Sequence, residues 1–344
     1  MKTWGRFAFL VVLLFLLFAG LVLALGSSPT AGVTTRVSVS SAGEEANGAS
    51  FDYPAISADG RYVAFQSVAT NLVPGGVTYG GVFVHDRQMG ITSHVSVDSA
   101  GAQVNGGSED PAISGDGRFV AFASYASNLV PGDTNDATDI FVHDRQTGSI
   151  VRVSVDSTGA QALGWSDSPS LSSDGRFVTF HSDAFNLALD NPSLWGGIFV
   201  HDRQTSATTL VSVNSDGTPG EGLSHSPVIS ADGRFVAFFS EAANLVLDDT
   251  NDLGDIFVHD RQTATTRRVS IDSSGVQGNA ASYLPDIAAD GRYVAYTSEA
   301  DNLVPADTND NFDTFVHDLQ TGITERVSVD SAGEQGNGGS GRGV

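Results

Sequence analysis

An all-β fold is predicted by three observations on the 344-residue sequence. One block of about 58 residues recurs five times, and the helical spacing of apolar residues is absent from these blocks. Each block also contains four short runs rich in β-branched and aromatic residues. Four-stranded sheets repeated in tandem are typical of a β-propeller. We therefore predict a propeller of five four-stranded blades, with six blades as the alternative, in a single domain over residues 27–344.

Three segments define the repeat. The first, S-x-D-G-R or a close variant, surrounds Asp59, Asp116, Asp174, Asp232 and Asp290. The second, F-V-H-D, begins at Phe83, Phe141, Phe199, Phe257 and Phe315. The third, R-V-S-V-D-S or a variant, is centred on Ser96, Ser154, Ser212, Ser270 and Ser328. An extra copy of the third segment, at residues 36–40, is expected to add an outer strand that fastens the ring of blades shut.

The second block illustrates the four predicted strands. The first, at residues 111–114, ends at the tight-turn sequence Gly115-Asp116-Gly117. The second covers residues 118–124, the third residues 140–143 and the fourth residues 149–155. Because strands alternate in direction, the two short turns of a blade must lie at one end of it. The two long connections, residues 125–139 and 156–168 in this block, must lie at the other end, where binding residues are expected.

The repeated motif S-x-D-G-R-Φ-V-A-F, where Φ is an aromatic residue, is followed in each block by F-V-H-D. This pattern resembles the TolB-type, WD-repeat-like propeller repeats of exported bacterial proteins. The resemblance covers all five blocks. It implies a propeller in an exported protein, although the block is longer than the roughly 40 to 50 residues of common propeller repeats.

Composition excludes several classes of function. The chain carries 40 acidic against 17 basic residues, a formal charge of −23, and its only lysine is Lys2. Nucleic acid is therefore not an expected partner, because phosphate binding depends on Lys and Arg. There is no cysteine, which excludes disulfides, a thiolate nucleophile and cysteine-ligated metals. Cations and basic partners suit this surface better.

The N-terminus resembles an export signal. Lys2 and Arg6 precede an apolar stretch over residues 7–25, followed by the small-x-small sequence Ala24-Leu25-Gly26. We expect residues 1–26 to be a cleaved signal peptide of a secreted or periplasmic protein. The alternative is a retained membrane anchor, since the apolar stretch is close to the roughly 20 residues that span a bilayer.

Three long loops suggest calcium sites. The sequence D-T-N-D-x-x-D recurs in the second, fourth and fifth blocks. Its candidate ligands are Asp133, Asn135, Asp139, Asp249, Asn251, Asp255, Asp307, Asn309 and Asp313. Oxygen ligands at positions 1, 3 and 7 of a turning loop resemble the front half of known Ca²⁺ loops. The alternative is an Asx-type turn, in which these side chains bond their own backbone.

The first and third blocks replace this set with an aromatic residue before two glycines, at Tyr79 and Trp195. Trp165 lies in the connection that leads into the third blade, so we expect it at the same end as Trp195. We predict Trp165, Trp195 and Tyr79 as ligand-binding residues that stack on a sugar or another flat ligand. The alternative is that these rings cover the bases of their loops, because Trp is highly buried on average.

The His-Asp pair that ends each F-V-H-D segment is interpreted as structural, because a catalytic group is normally assembled once rather than five times. The sequence contains no G-x-S-x-G, H-E-x-x-H or P-loop motif. We therefore expect a non-catalytic binding or scaffold propeller whose long-loop end engages a protein, glycan or cation. Two alternatives stay open: a glycan-acting hydrolase, which needs two carboxylates across a site, and a purely structural envelope protein held by residues 7–25.

Overall fold

The computed structural model describes residues 33–51, 53–188, 196–309 and 311–340. The predicted signal or anchor at residues 1–26 lies outside these ranges. No helix in the described part of the chain is long and apolar enough to cross a membrane.

Each block forms one four-stranded antiparallel sheet, hydrogen-bonded in chain order. Blade 1 contains β1 (Ala55–Ile56), β2 (Tyr62–Ser67), β3 (Gly81–Asp86) and β4 (Ile91–His94). Blade 2 contains β5 (Ser108–Ile113), β6 (Phe119–Ser124), β7 (Asp139–Asp144) and β8 (Ile150–Arg152). Blade 3 contains β9 (Ser166–Leu171), β10 (Phe177–Ser182), β11 (Gly197–Asp202) and β12 (Ala207–Leu210). Blade 4 contains β13 (Ser224–Ile229), β14 (Phe235–Ser240), β15 (Asp255–Asp260) and β16 (Thr265–Arg268). Blade 5 contains β17 (Ser282–Ile287), β18 (Tyr293–Ser298), β19 (Asp313–Asp318) and β20 (Thr324–Arg326).

The first strand of each blade is the innermost one, because β1, β5, β9, β13 and β17 contact one another in sequence. The faces of consecutive blades are apolar and pack together. At the junction of blades 2 and 3, Ala121, Ile140 and Val142 pack against Val178 and Phe180, all at most 1% exposed. Burial of both faces explains why the second and third strands read as nearly continuous apolar runs.

The short-turn end repeats two further junction contacts. Backbone hydrogen bonds run from the turn of one blade to the next: Ala58 N–H donates to Gly115 O at 2.9 Å, and Gly115 N–H donates to Ser173 O at 2.8 Å. The guanidinium of Arg145 stacks over the Tyr62 ring of the preceding blade, 4.3 Å from its centroid. Gly117 is required beside that ring, because its φ is +71° and a Cβ would lie 2.2 Å from Tyr62.

The turn hydrogen bonds connect consecutive blades at four junctions, and the arginine stack recurs at three of them, from blade 1 to blade 4. Among the described residues no turn hydrogen bond of this kind joins blade 5 to blade 1. Tyr293, the counterpart of Tyr62, is 39% exposed and no arginine stacks over it from blade 1. The outer strand expected at residues 36–40 is not formed, because these described residues belong to no strand. Val39 O instead accepts a hydrogen bond from Thr92 Oγ1 in blade 1. The outer edge of β19 already pairs with the R-V-S-V copy of its own blade, because Val327 N–H donates to Thr314 O at 2.9 Å.

Candidate functional site at the long-loop end

The repeated His-Asp pairs have structural roles, as the sequence analysis predicted. In blade 1, Arg61 Nη2 lies 2.6 Å from Asp86 Oδ2, and Asp86 Oδ1 accepts a hydrogen bond from Gln88 N–H at 2.9 Å. Hydrogen bonding to Arg61 lowers the pKa of Asp86 to about 2. The same pairing recurs in every blade, between Arg118 and Asp144, Arg176 and Asp202, Arg234 and Asp260, and Arg292 and Asp318.

The histidine of each pair is buried next to the preceding connection. In blade 3, His201 Nδ1 lies 2.9 Å from Thr208 Oγ1, which donates to Val155 O at 2.5 Å. Since the threonine hydroxyl donates to a carbonyl, the neutral histidine donates its Nδ1–H to that hydroxyl. Blade 2 has Ile150 at the threonine position, and His143 Nδ1 has no hydrogen-bond partner among the described residues.

The predicted calcium loops contain an arginine that the sequence analysis did not identify. In blade 2, Arg152 Nη1 lies 3.6 Å from Asp133 Oδ1 and 3.3 Å from Asp139 Oδ2. Gln161 Nε2 donates to the same two oxygens, at 2.9 Å each. Ser154 Oγ donates to the other oxygen of Asp139, which is fully buried. The two carboxylates therefore converge on N–H groups of this chain.

The other two loops have the same arrangement. In blade 4, Arg268 Nη1 lies 3.5 Å from Asp249 Oδ1 and 3.6 Å from Asp255 Oδ2. In blade 5, Arg326 Nη1 lies 3.4 Å from Asp307 Oδ1 and 3.5 Å from Asp313 Oδ2. A signal for this pairing is present in the sequence. Arginine occupies this position only in the blocks with the acidic loop; the two blocks with Gly81 and Gly197 carry His94 and Leu210 instead.

The asparagines of these loops form Asx turns. Asn135 Oδ1 accepts a hydrogen bond from Ala137 N–H at 3.1 Å, and Asn251 and Asn309 accept equivalent bonds from Leu253 and Asn311. In the described residues no group of three or more His, Asp or Glu side chains is placed to hold a metal ion. These residues do not fit Ca²⁺, because N–H groups and a guanidinium already meet the oxygens that would bind it.

Calcium titration tests the calcium-loop hypothesis directly. We expect EDTA-treated protein to give no heat of binding with CaCl₂ and no change in Tm, because arginine already neutralises each acidic pair. The measurement is isothermal titration calorimetry with parallel thermal melts. Saturable uptake of about three Ca²⁺ per chain would contradict this expectation and support the calcium loops.

The predicted aromatic ligand residues are only partly described. Trp165 is 58% exposed and Tyr79 is 50% exposed, so neither ring is buried over its loop. Both lie at the long-loop end, Tyr79 in blade 1 and Trp165 in blade 3, with blade 2 between them. Trp195 lies outside the described residues. The stacking of Trp165 with Trp195 therefore stays a prediction.

A different set of residues lies at the long-loop end of the innermost strands, and the sequence analysis missed it. Each inner strand from β5 onward starts with a serine that bonds a serine of the next strand, as Ser166 does with Ser182 at 2.9 Å. The residue after that serine differs in every blade. These residues are Glu109, Asp167, His225 and Tyr283, and we call them the inner-rim residues.

Each of the last three inner-rim residues contacts the residue opposite it in its own blade. Asp167 bonds His181 at 3.3 Å, and the His225 ring stacks on Phe239 with centroids 4.2 Å apart. Thr297 Oγ1 donates to the backbone carbonyl of Tyr283 at 3.3 Å. The Phe239 and Tyr283 rings also stack across the junction of blades 4 and 5, with centroids 5.4 Å apart.

A β-bulge follows each of these positions and changes the direction of the inner strand. The bulged residue has a left-handed backbone, with φ of 51° at Asp110 and Ser168, 53° at Ser226 and 53° at Leu284. Each bulged residue precedes a proline. Non-glycine residues rarely adopt this conformation, and such strain is concentrated at functional sites.

Carboxylates accumulate on the blade 2 and blade 3 side of the inner rim. Burial, followed by repulsion from Asp110 and Asp167, raises the pKa of Glu109. Burial and the nearby Asp167 also raise the pKa of Asp110. Burial has the largest single effect on the pKa of Asp167 and would raise it, but the hydrogen bonds from His181 and Ser168 together with the charges of His181 and His225 outweigh burial, and the pKa is lowered. Blades 4 and 5 contribute aromatic rings instead, so the inner rim is acidic on one side and aromatic on the other.

The fold can now be compared with known proteins. No protein-family profile matches the chain. The structure is similar to an oligogalacturonate lyase solved in complex with manganese, with a TM-score of 0.50 and 13% identity, over 80% of this chain and 64% of that one. The fold is a β-propeller. TolB from Acinetobacter baumannii also matches, with a TM-score of 0.48 and 16% identity, over 80% of this chain and 53% of that one.

The five four-stranded sheets confirm the five blades predicted from the repeat. TolB is among the structures that this chain resembles, as predicted, and these likenesses concern the fold alone. In sequence, the chain is similar to a probable dipeptidyl-peptidase 5 of Aspergillus niger, at 31% identity over 142 residues. That match covers 39% of this chain and 19% of the relative. The propeller thus matches about a fifth of that relative's length.

Proposed function

We propose that this chain is an exported, non-catalytic propeller that binds a polypeptide at its long-loop end. The observation that carries the proposal is the contrast between the two ends of the blades. At the short-turn end the same Arg-Asp pairs and turn hydrogen bonds recur from blade to blade. At the long-loop end, one position of the inner strands holds an acid, a histidine or a tyrosine according to the blade. Variation confined to one end of a rigid scaffold is typical of a binding surface.

Two further observations support the partner and the location. The relative from Aspergillus niger is a peptidase by name, which favours a polypeptide as the partner. The N-terminal pattern over residues 1–26 favours export, with residues 7–25 as the only stretch that would anchor the chain if it were not cleaved.

A glycan-acting hydrolase is the second candidate. The observation in its favour is the pair Glu109 and Asp167, whose environments move their pKa values in opposite directions. Such divergence is typical of a general acid beside an ionised carboxylate. We rank this candidate second because Asp167 is already engaged by His181.

The test is selection of a displayed random-peptide library on the full chain. The rim variant replaces all four inner-rim residues with serine: Glu109→Ser, Asp167→Ser, His225→Ser and Tyr283→Ser. The control variant combines Met89→Ser with Ile323→Ser, two exposed positions near the short-turn end. We expect selected peptides to bind the rim variant at least tenfold more weakly and the control variant with unchanged affinity.

Two results would overturn the proposal. One is a set of selected peptides that binds the rim variant and the wild type equally. The other is hydrolysis of a chromogenic glycoside that is abolished by Glu109→Gln, which would establish the second candidate. Circular dichroism of each variant shows whether the blades remain folded.

A further inference from the structure

Blade 3 departs from blades 1, 2 and 5 at its long-loop end. In blades 1, 2 and 5 the connection and the loop after the second strand are joined by polar side chains. Asn47 Nδ2 donates to Thr70 Oγ1 at 2.9 Å, and Asn105 Nδ2 donates to Ser127 Oγ at 2.9 Å. Blade 3 has Leu163 and Phe185 at these positions.

Both apolar side chains face solvent, Leu163 being 59% and Phe185 66% exposed. The backbone there keeps the arrangement of the other blades, since Leu163 N–H donates to Asn186 Oδ1 at 2.9 Å, as Asn105 N–H does to Asn128 Oδ1. Trp165, 58% exposed, lies on the same connection as Leu163, and its carbonyl accepts hydrogen bonds from Asp183 N–H and Ser182 Oγ at the start of the loop that carries Phe185. We call Leu163, Trp165 and Phe185 the blade 3 apolar patch. An exposed cluster of this kind is typical of an interaction site.

Carboxylates without a basic partner lie on the neighbouring blade 2, at the same long-loop end as this patch. Trp165 is two residues from Asp167, whose charge acts on Glu109 and Asp110 of blade 2. The arginines of these two blades are engaged elsewhere: Arg118 with Asp144, Arg152 with Asp139, and Arg176 with Asp202. The other two, Arg145 and Arg203, donate hydrogen bonds to the backbone carbonyls of Gly117 and Gly175. In the described part of the chain no arginine lies within ion-pair distance of Glu109 or Asp110. Glu109 and Asp110 therefore have no basic partner in the described part of the chain, on the blade next to the one that carries the patch.

We propose that the long-loop end of blades 2 and 3 binds a basic polypeptide segment in which Arg or Lys alternates with large apolar residues. The apolar side chains pack on Leu163, Trp165 and Phe185, and the cationic side chains pair with Glu109 and Asp110. Charge complementarity selects this partner, because the chain has a formal charge of −23 and these carboxylates lack an internal cation. This inference rests on the proposed binding function and specifies the chemistry of the ligand.

The experiment measures fluorescence anisotropy of three labelled dodecapeptides with the full chain: alternating Arg-Leu, alternating Arg-Ser and alternating Glu-Leu. We expect the Arg-Leu peptide to bind at least tenfold more tightly than the Arg-Ser peptide. The Glu-Leu peptide is expected not to bind. Raising the salt concentration from 50 to 500 mM is expected to weaken binding of the Arg-Leu peptide, because salt screens exposed charge pairs.

Three variants separate the two contributions. Leu163→Asn with Phe185→Ser installs the polar pair of blade 2, and it is expected to reduce Arg-Leu affinity to that of Arg-Ser. Glu109→Gln with Asp110→Asn is expected to weaken both cationic peptides at least tenfold. Glu325→Gln, on the outermost strand of blade 5, changes the net charge at a distance and is expected to leave both affinities unchanged.

Equal affinity for the Arg-Leu and Glu-Leu peptides, or equal weakening by Glu325→Gln and by the Glu109→Gln, Asp110→Asn pair, would overturn the inference. These outcomes differ from failure of the proposed function. If the library yields neutral or acidic peptides that still require the inner rim, the binding function stands and only the basic, apolar ligand is wrong. If no peptide of any composition binds, both are wrong.

Discussion

Arg268→Leu is expected to lower the free energy of unfolding by about 3–5 kcal/mol, the usual cost of removing one partner from a buried ion pair. The Arg268 side chain is 4% exposed and lies between the carboxylates of Asp249 and Asp255, which are 3% and 0% exposed. Burial already raises the pKa of Asp255 to about 6, so the ionised form of this carboxylate is unfavourable even with the arginine present. Urea denaturation followed by circular dichroism measures the loss.

Blade 3 supplies the control for this substitution, because it omits the ion pair and keeps its fold. There Leu210 lies against Gly197, where an added Cβ would meet Leu210 Cδ1 at 2.6 Å. A triple variant places the blade 3 residues at three positions of blade 4: Asp249→Asn, Asp255→Gly and Arg268→Leu. We expect this triple variant to lose less than half of what the single variant loses. A triple variant as unstable as Arg268→Leu would show that the carboxylates are not the cause.

Stability is expected to fall steeply as pH falls from about 6.5 to 4. Burial lowers the pKa of seven histidines, His85, His94, His143, His201, His225, His259 and His317. The pKa of His259 falls to about 4, because burial and the nearby Arg261 outweigh the opposite effect of Asp260. Below pH 6.5 the unfolded chain binds protons that the folded chain excludes, so stability decreases. For His259 the shift corresponds to about 3 kcal/mol by pH 4.

Buried carboxylates oppose this trend only in part. The raised pKa values of Glu109, Asp110, Asp139 and Asp255 let the folded chain bind protons first, which adds stability as pH falls toward the ordinary carboxylate pKa. Because four carboxylates raise the stability and seven histidines lower it as pH falls, the net change is a loss of stability. Unfolding free energies from urea titrations at pH 4.5 to 7.5 measure it, and His259→Gln should reduce the slope by about one proton. An unchanged slope in that variant would contradict the assignment.

The repeat made most of the fold predictable. Five copies of S-x-D-G-R and F-V-H-D fixed the number of sheets, the order of strands and the end at which the long loops lie, because each of these follows from period and alternation. The structural role of His85-Asp86 and its equivalents followed from the same repetition. The absence of a turn hydrogen bond between blades 5 and 1 was not predictable, because the turn sequences of these two blades resemble those of the other blades.

The candidate site was harder to predict because it lies where the repeat changes. Aligning the blocks places Glu109, Asp167, His225 and Tyr283 at one position, and that comparison across blades was the available signal. The acidic loops were interpreted from their oxygens alone. Their cation, Arg152 in blade 2, comes from a strand 13 residues after Asp139, and only pairing between strands brings the two together.

The repeated junctions have a consequence for the evolution of such a chain. Because every blade offers the same apolar face and the same turn hydrogen bonds to its neighbour, one whole repeat can be exchanged for another without altering which surfaces meet. Reordering repeats would instead permute acid, imidazole and phenol groups around the central axis. New specificities are therefore accessible by recombination of intact modules, with no need for the slow accumulation of point substitutions in a packed core.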